Sequence, residues 1–367
     1  MGWSPRQKNK VIPLFKMYND KQDAKAVLDI VKRGSFWACG PEIEELENKT
    51  AKYIGTKYAV ACNSGTSALH ACMILLNIGP GDEVIVPSFT FIATANCVLM
   101  TGAKPVFADI EKDSFGLDPQ DVLNKITDKT KAIIAVHYGG TPCKIKELRK
   151  IADDYGLFLI EDACEAFGAT IGKKKVGTFG HLGVFSLCQN KIITTGEGGF
   201  IVFNIREWNE PLKLIRSHGK QGNDFVCLGY NWRMPTILAS LGLSQLKKVD
   251  FLINKRRENA FYLAEKLSTN VSDYKNTRNV FQLFSIVLDP EYNRDFFVKE
   301  LAKSGIQSGI YFNPIHKTSF YKSLGYKDEL PVTESVSKQI LTLPNYPDLN
   351  RKEMDFICEK IWKIIST

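Results

Sequence analysis

Leu157-Phe158-Leu159-Ile160-Glu161-Asp162-Ala163 is the stretch that decides the fold. Four apolar residues in a row, closed by two acids, describe a strand buried on both faces with a polar carboxyl end. Its neighbours repeat the theme. Tyr58–Cys62, Glu83–Pro87, Lys104–Ile110 and Ala132–His137 read as further strands, and Gly183–Leu187 and Gly199–Phe203 as two short ones. Helical segments alternate with them: Thr66–Leu76, Phe91–Met100, Asp118–Ile126 with Pro119 in its first turn, and Lys144–Tyr155. This βαβα rhythm of Val/Ile/Phe-rich strands predicts an α/β fold with a mostly parallel sheet covered on both faces.

The rhythm changes after residues 240–267, which read as one long helix carrying Leu241, Leu243, Leu246, Val249 and Leu252 near helical spacing. Beyond it come a strand at Gln282–Leu288, a helix at Arg294–Ser304, a strand at Ile306–Phe312 and a closing amphipathic helix at Glu353–Ile365. The expected division is a large domain over 1–245, with its N-terminal segment, and a smaller C-terminal α+β domain over 246–367.

Composition narrows the function classes. The 367 residues are 44% apolar and 24% charged, which excludes disordered and low-complexity classes. Forty-eight basic against 40 acidic residues leave a net charge of +8, scattered rather than blocked. Nucleic acid is not indicated, and an acidic small molecule fits as well. The nine cysteines form no CxxC pair, which speaks for free thiols in a reducing cytoplasm rather than disulfides or a zinc site. Met1–Lys16 is polar and basic and does not read as a signal peptide. The uncharged run Val84–Ala103 carries Pro87, Asn96 and Gly102 among several hydroxyl residues, so no membrane insertion is expected.

Four local features carry chemistry. Asn63-Ser64-Gly65-Thr66-Ser67 lies between a strand and a helix, where free amides and the helix dipole favour a phosphate. The same residues also make an ordinary N-cap, and either reading stands at this point. Asp162, at the carboxyl end of a core strand, needs a partner; a metal or a protonated heterocyclic nitrogen would serve, but no set of His ligands accompanies it. Lys191 follows the buried strand ending Phe185-Ser186-Leu187 and precedes Thr194-Thr195-Gly196-Glu197-Gly198-Gly199. A lysine there is expected to be a desolvated amine, able to lose its proton and attack a carbonyl, with Ser186 as a further phosphate donor. Gly229-Tyr230-Asn231-Trp232-Arg233-Met234 is a packed aromatic turn or an Asn/Arg pair reaching an anion. Together these supply the three anchors of pyridoxal phosphate: an amine, a carboxylate and a phosphate cup.

At this point the chain resembles the DegT/DnrJ/EryC1/StrS family of nucleotide-sugar aminotransferases, on the fold-type I scaffold. The likeness runs from Gly40-Pro41 to Leu343-Pro344. It is carried by Ser64-Gly65-Thr66, Gly79-Pro80-Gly81-Asp82-Glu83-Val84-Ile85-Val86-Pro87, Glu161-Asp162-Ala163, Lys191 with its glycine-rich turn, and the Gly229–Met234 motif.

The resemblance implies a role for each matched residue. Lys191 would be the Schiff-base lysine and proton shuttle, and Asp162 would keep the pyridinium nitrogen protonated. Gly65, Thr66 and Ser186 would hold the phosphate, and Phe91 would stack on the ring. Asn231 would reach the phosphate of a neighbouring subunit, giving a homodimer with shared active sites, with Arg233 close by. His316, in Asn313-Pro314-Ile315-His316, would lie near the sugar pocket. Glu165 stands where many relatives carry Gln or His, beside the cofactor's ring oxygen. With Asn190-Lys191 it is similar to the perosamine-synthase-like branch that aminates C4 of 4-keto-6-deoxy sugars. The activity implied is cytoplasmic ping-pong transamination through pyridoxamine phosphate. L-glutamate is the donor, a nucleotide-diphosphate keto-sugar is the acceptor, and no metal takes part. A 3-keto sugar aminotransferase, a non-transaminating pyridoxal-phosphate enzyme and a cofactor-binding regulator are the alternatives.

Overall fold

The computed structural model describes residues 11–269 and 276–366. Residues 1–10, most of the segment read as lacking a signal peptide, lie outside the described residues. Seven strands form the central sheet: β1 (Tyr58–Cys62), β2 (Glu83–Pro87), β3 (Lys104–Ala108), β4 (Thr130–Val136), β5 (Phe158–Asp162), β6 (Leu182–Ser186) and β7 (Gly199–Phe203). Their order is β1-β7-β6-β5-β4-β2-β3. The pairs β3·β2, β2·β4, β4·β5 and β5·β6 are parallel, and only β7 runs against its neighbours β6 and β1. The mostly parallel sheet expected from the apolar runs is therefore the observed one.

Alternation along each strand feeds two cores. Ile134 and Ile160 pack on one face with Val60, Leu69 and Met73, while Ile133 and Leu159 pack on the other with Leu148 and Ile151. The two acids that end β5 must then face opposite ways, because successive side chains on a strand point to opposite faces. The parallel strands β2, β4, β5 and β6 all end on the same rim, the place where open α/β sheets bind ligands.

Two expectations need correction. The stretch 240–267 is two helices, Thr236–Leu246 and Val249–Lys266, not one. The break falls at Lys247-Lys248, where the Lys248 ammonium reaches Asp20 at 2.7 Å and Asp23 at 2.9 Å. The second helix bridges two cores. Its Val249, Leu252 and Ile253 pack with the sheet, and its Ala260, Leu263 and Ala264 pack with Phe284, Leu301, Ile306 and Ile357 of the C-terminal unit. Ile306–Phe312 is likewise no continuous strand. It makes single bridges from Ile306 to Ile12 and from Gly309 to Thr342, and then carries Tyr311 and Phe312 to the rim of the sheet.

Candidate active site

A cavity of about 410 Å³ opens at the carboxyl rim of β2, β4, β5 and β6. Gly65, Thr66, Phe91, Asp162, Glu165, Ser186 and Lys191 all line it, so seven of the residues singled out in the sequence converge on one space. Tyr311 and Phe312 close its other side.

The helix Gly65–Leu75 begins at the cavity wall. Its N-cap, Ser64, accepts the Ser67 amide at 3.0 Å. Gly65 and Thr66 hold the first two positions, whose amides have no intrahelical acceptor. Both readings of this motif are therefore compatible in one structure: Ser64 caps, and the two amides after it remain for an anion. A Cβ on Gly65 would stand 3.0 Å from Ser186 Cβ and 3.1 Å from Cys164 Sγ, so glycine lets Ser186 close the cradle. Ser186 is buried, and its Oγ accepts the Cys188 amide at 3.2 Å. Two first-turn amides and two hydroxyls make a donor set suited to a phosphate, and this cradle fits the phosphate end of pyridoxal phosphate.

The acids of β5 divide as the alternation demands. Asp162 lies on the cavity side, where Thr94 Oγ1 donates to its Oδ2 at 2.7 Å and the Cys164 amide donates to its Oδ1 at 3.2 Å. Glu161 is fully buried on the other face and accepts amides from Gly177 at 2.7 Å and from Phe179 and Gly180 at 2.6 Å each. It also meets His137 Nε2 at 2.9 Å. The Cys143 amide donates to His137 Nδ1 at 3.1 Å, so that nitrogen carries the lone pair and Nε2–H donates to Glu161. Glu161 thus ties strand ends together beneath the site and does not touch the cavity.

Lys191 Nζ lies 3.4 Å from Glu165 Oε1, while Glu165 Oε2 accepts the Gly139 amide at 2.9 Å. Burial pulls the Lys191 pKa down. The carboxylates of Glu165 and then Asp162 outweigh burial and leave it above the ordinary lysine value. The lysine sits where expected, but a carboxylate partner holds its charge.

Three expected residues do not line this cavity in the single chain. Asn231 is exposed, while Tyr230 and Trp232 on either side of it turn inward, stacked 4.0 Å apart beside His70. Arg233 lines a separate cavity with Arg216 and Glu47, and its Nη1 donates to Ser217 Oγ at 3.2 Å. His316 is buried behind the rim, and both ring nitrogens are engaged. Its amide donates to Ser88 Oγ at 3.2 Å, and the Ser88 hydroxyl donates to Nδ1 at 2.6 Å. Nε2 donates to Glu334 at 3.3 Å. Burial holds its pKa below the ordinary histidine value, in keeping with this neutral form. His316 here pins the segment that carries Tyr311 and Phe312 to the end of β2.

The sequence reading missed Thr90, Thr94, Tyr311 and Phe312. Thr90 and Thr94 flank Phe91 at the spacing of one helical turn, a signal that was present in the sequence. Tyr311 and Phe312 gave none, because they arrive from the far unit. Among the described residues, no cluster of three or more His, Cys, Asp or Glu could hold a metal ion, and no helix is long and apolar enough to cross a membrane.

Comparison with known proteins agrees with this geometry. The chain is 36% identical over 362 residues to the GDP-perosamine synthase of Vibrio cholerae, covering 96% of this chain and 98% of that one. The structure of Helicobacter pylori PseC, an aminotransferase involved in the biosynthesis of pseudoaminic acid, superposes with a TM-score of 0.91 at 30% identity. That match spans 97% of this chain and all of PseC (100%). Spr1654 from Streptococcus pneumoniae in its PLP-form gives a TM-score of 0.94 at 27% identity, over 97% of this chain and 99% of that one. The sequence profile that spans residues 17–362 is that of an aminotransferase family dependent on pyridoxal phosphate. The chain belongs to the DegT/DnrJ/EryC1/StrS aminotransferase family.

Proposed function

We propose that this chain moves the amino group of L-glutamate to C4 of a nucleotide-linked 4-keto-6-deoxy sugar, in the cytoplasm and as a homodimer. The observation that carries an aminotransferase site is the convergence of Lys191, Asp162 and the Gly65–Thr66–Ser186 cradle on one cavity. The choice of C4 is supported by three GDP-perosamine synthases, 34–36% identical to this chain. The nine free cysteines suit a reducing compartment.

When bound, pyridoxal phosphate supplies an electron sink and a carrier for the amino group. The protein's own residues do the rest. Gly65 and Thr66 offer amides and a hydroxyl to the phosphate, with Ser186 adding a second hydroxyl. Asp162 would keep a proton on the ring nitrogen. Phe91, exposed on the cavity wall, would cover one ring face. Lys191, on the cavity wall, would hold the aldehyde end of the cofactor, and its amine would move protons at the reacting carbon. Glu165 accepts from the ammonium of that lysine. Asn231, exposed and outside its own cavity, is available to the partner subunit's phosphate cradle, with Arg233 behind it.

The test is product analysis. The loaded enzyme, L-glutamate and a panel of nucleotide-linked 4-keto- and 3-keto-6-deoxy sugars are incubated, and the aminated carbon is read by NMR. A 4-amino product is expected; a 3-amino product, or no product from any panel member, overturns the proposal.

A further inference from the structure

Asp162 has a hydroxyl relay behind it that neither the motif nor the reaction requires. Thr94 Oγ1 lies 2.7 Å from Asp162 Oδ2, and Thr90 Oγ1 lies 3.0 Å from Thr94 Oγ1. All three residues are buried, with 1% exposure at Thr94, 5% at Thr90 and 5% at Asp162. An ionised carboxylate has only acceptor sites, so the single hydroxyl proton of Thr94 is committed to Asp162. Thr94 can then only accept from Thr90, and the direction is fixed: Thr90 donates to Thr94, and Thr94 donates to Asp162. A hydroxyl that accepts one hydrogen bond donates the next more strongly.

Each threonine is placed by a different element. Thr90 sits on the turn that leaves β2, and Thr94 is in the first turn of the helix Ala93–Leu99, four residues on. Phe91 lies between them on the cavity wall. The short segment 90–94 therefore both presents Phe91 to the cavity and holds the Asp162 carboxylate.

We infer that Thr94 is a positioning residue for the ring-nitrogen contact, fixing Asp162 as an ionised, oriented carboxylate, and that Thr90 sets the direction of its hydrogen bond. The inference rests on the assignment of Asp162 to the ring nitrogen. Without Thr94 the carboxylate loses its charge-assisted donor, and a group that must stay anionic to keep the neighbouring nitrogen protonated is weakened in that task.

Thr94→Val keeps the shape and removes the hydroxyl. Thr94→Ser keeps the hydroxyl and removes a methyl. The protein is loaded with pyridoxal phosphate labelled with ¹⁵N in the ring, and the nitrogen resonance is followed through a pH titration. The wild type and Thr94→Ser are expected to hold the pyridinium-type shift to the same pH. In Thr94→Val the loss of that shift moves to lower pH, and in Asp162→Asn it moves furthest. Thr90→Val is expected to fall between wild type and Thr94→Val. Turnover in Thr94→Val is expected to fall about tenfold or more, chiefly in kcat. A Thr94→Val titration that coincides with wild type, while Asp162→Asn is displaced, overturns the role of Thr94 and leaves Asp162 in place. Thr94→Ser behaving like Thr94→Val also overturns it, since packing would then be the cause. An Asp162→Asn titration identical to wild type removes the ring-nitrogen assignment itself, and this inference with it.

Discussion

The Lys191 ammonium and the Glu165 carboxylate are 3.4 Å apart inside the cavity, and the second oxygen of Glu165 is held by the Gly139 amide. The pair joins the glycine-rich turn after β6 to the segment after β5. It also holds the charge of the lysine to which the proposal gives the role of nucleophile.

The first prediction concerns that charge. Burial alone would lower the Lys191 pKa, and Glu165 with its neighbours raises it above the ordinary value. A raised pKa in the folded state means that the pair's contribution to stability is present below the unfolded lysine value and is lost as pH rises through the folded one. Attack on an aldehyde needs the uncharged amine, so covalent uptake of pyridoxal phosphate by the cofactor-free protein should speed up as pH rises. Glu165→Gln should shift that profile to lower pH. The rate at which borohydride-fixable cofactor accumulates measures it, and superimposable profiles would contradict the pairing.

Asp162→Asn should fold and load normally, because its amide oxygen can accept from the Cys164 amide while its NH2 donates to the Thr94 hydroxyl, which turns to donate to Thr90. Turnover should fall by about a hundredfold to a thousandfold, the scale on which one well-placed electrostatic partner acts. Steady-state kinetics at saturating glutamate and keto-sugar check this. Turnover within a few fold of wild type would remove Asp162 from the mechanism.

Glu161, its neighbour, should behave in the opposite way. Glu161→Ala leaves the amides of Gly177, Phe179 and Gly180 and the Nε2–H of His137 without their buried acceptor. Breaking such a network costs about 3–5 kcal/mol, or roughly 4–6 °C in melting temperature for a chain of this size. A melting temperature within about 2 °C of wild type would show that the network has another acceptor.

How far these roles were legible in the sequence differs along the chain. The β5 stretch gave the sheet, because a run buried on both faces leaves no other reading. It also gave two acids, but only the strand's alternation separates Asp162, in the cavity, from Glu161, beneath it. Ser64, Gly65, Thr66, Ser186 and Lys191 were readable because each sits next to a strand end and is placed by local geometry. Tyr311 and Phe312 were not, since contacts between segments far apart in sequence put them at the rim. The extra helix boundary at Lys248 was hidden for the same reason: Asp20 and Asp23 lie more than two hundred residues away. His316 was legible as a residue and not as a role. Only the packing shows both of its nitrogens occupied away from the cavity.

Asn231 gives the prediction about assembly. It is exposed in one chain, between two inward aromatic residues, so its side chain is free to serve a second copy. Asn231→Ala should weaken cofactor retention. Mixed with Lys191→Ala under conditions of subunit exchange, it should recover activity, because hybrid dimers then rebuild one intact site. Absence of recovery with exchange confirmed by mass would contradict a shared site.

The most direct test of the whole account is to follow the two half-reactions in one cuvette. The protein is loaded with pyridoxal phosphate, treated with L-glutamate, freed of excess amino acid and then given the nucleotide-linked 4-keto-6-deoxy sugars one at a time. The account predicts that the yellow colour bleaches with glutamate and returns with a 4-keto sugar, and that Lys191→Ala does neither. A wild-type protein whose colour glutamate never bleaches would contradict it.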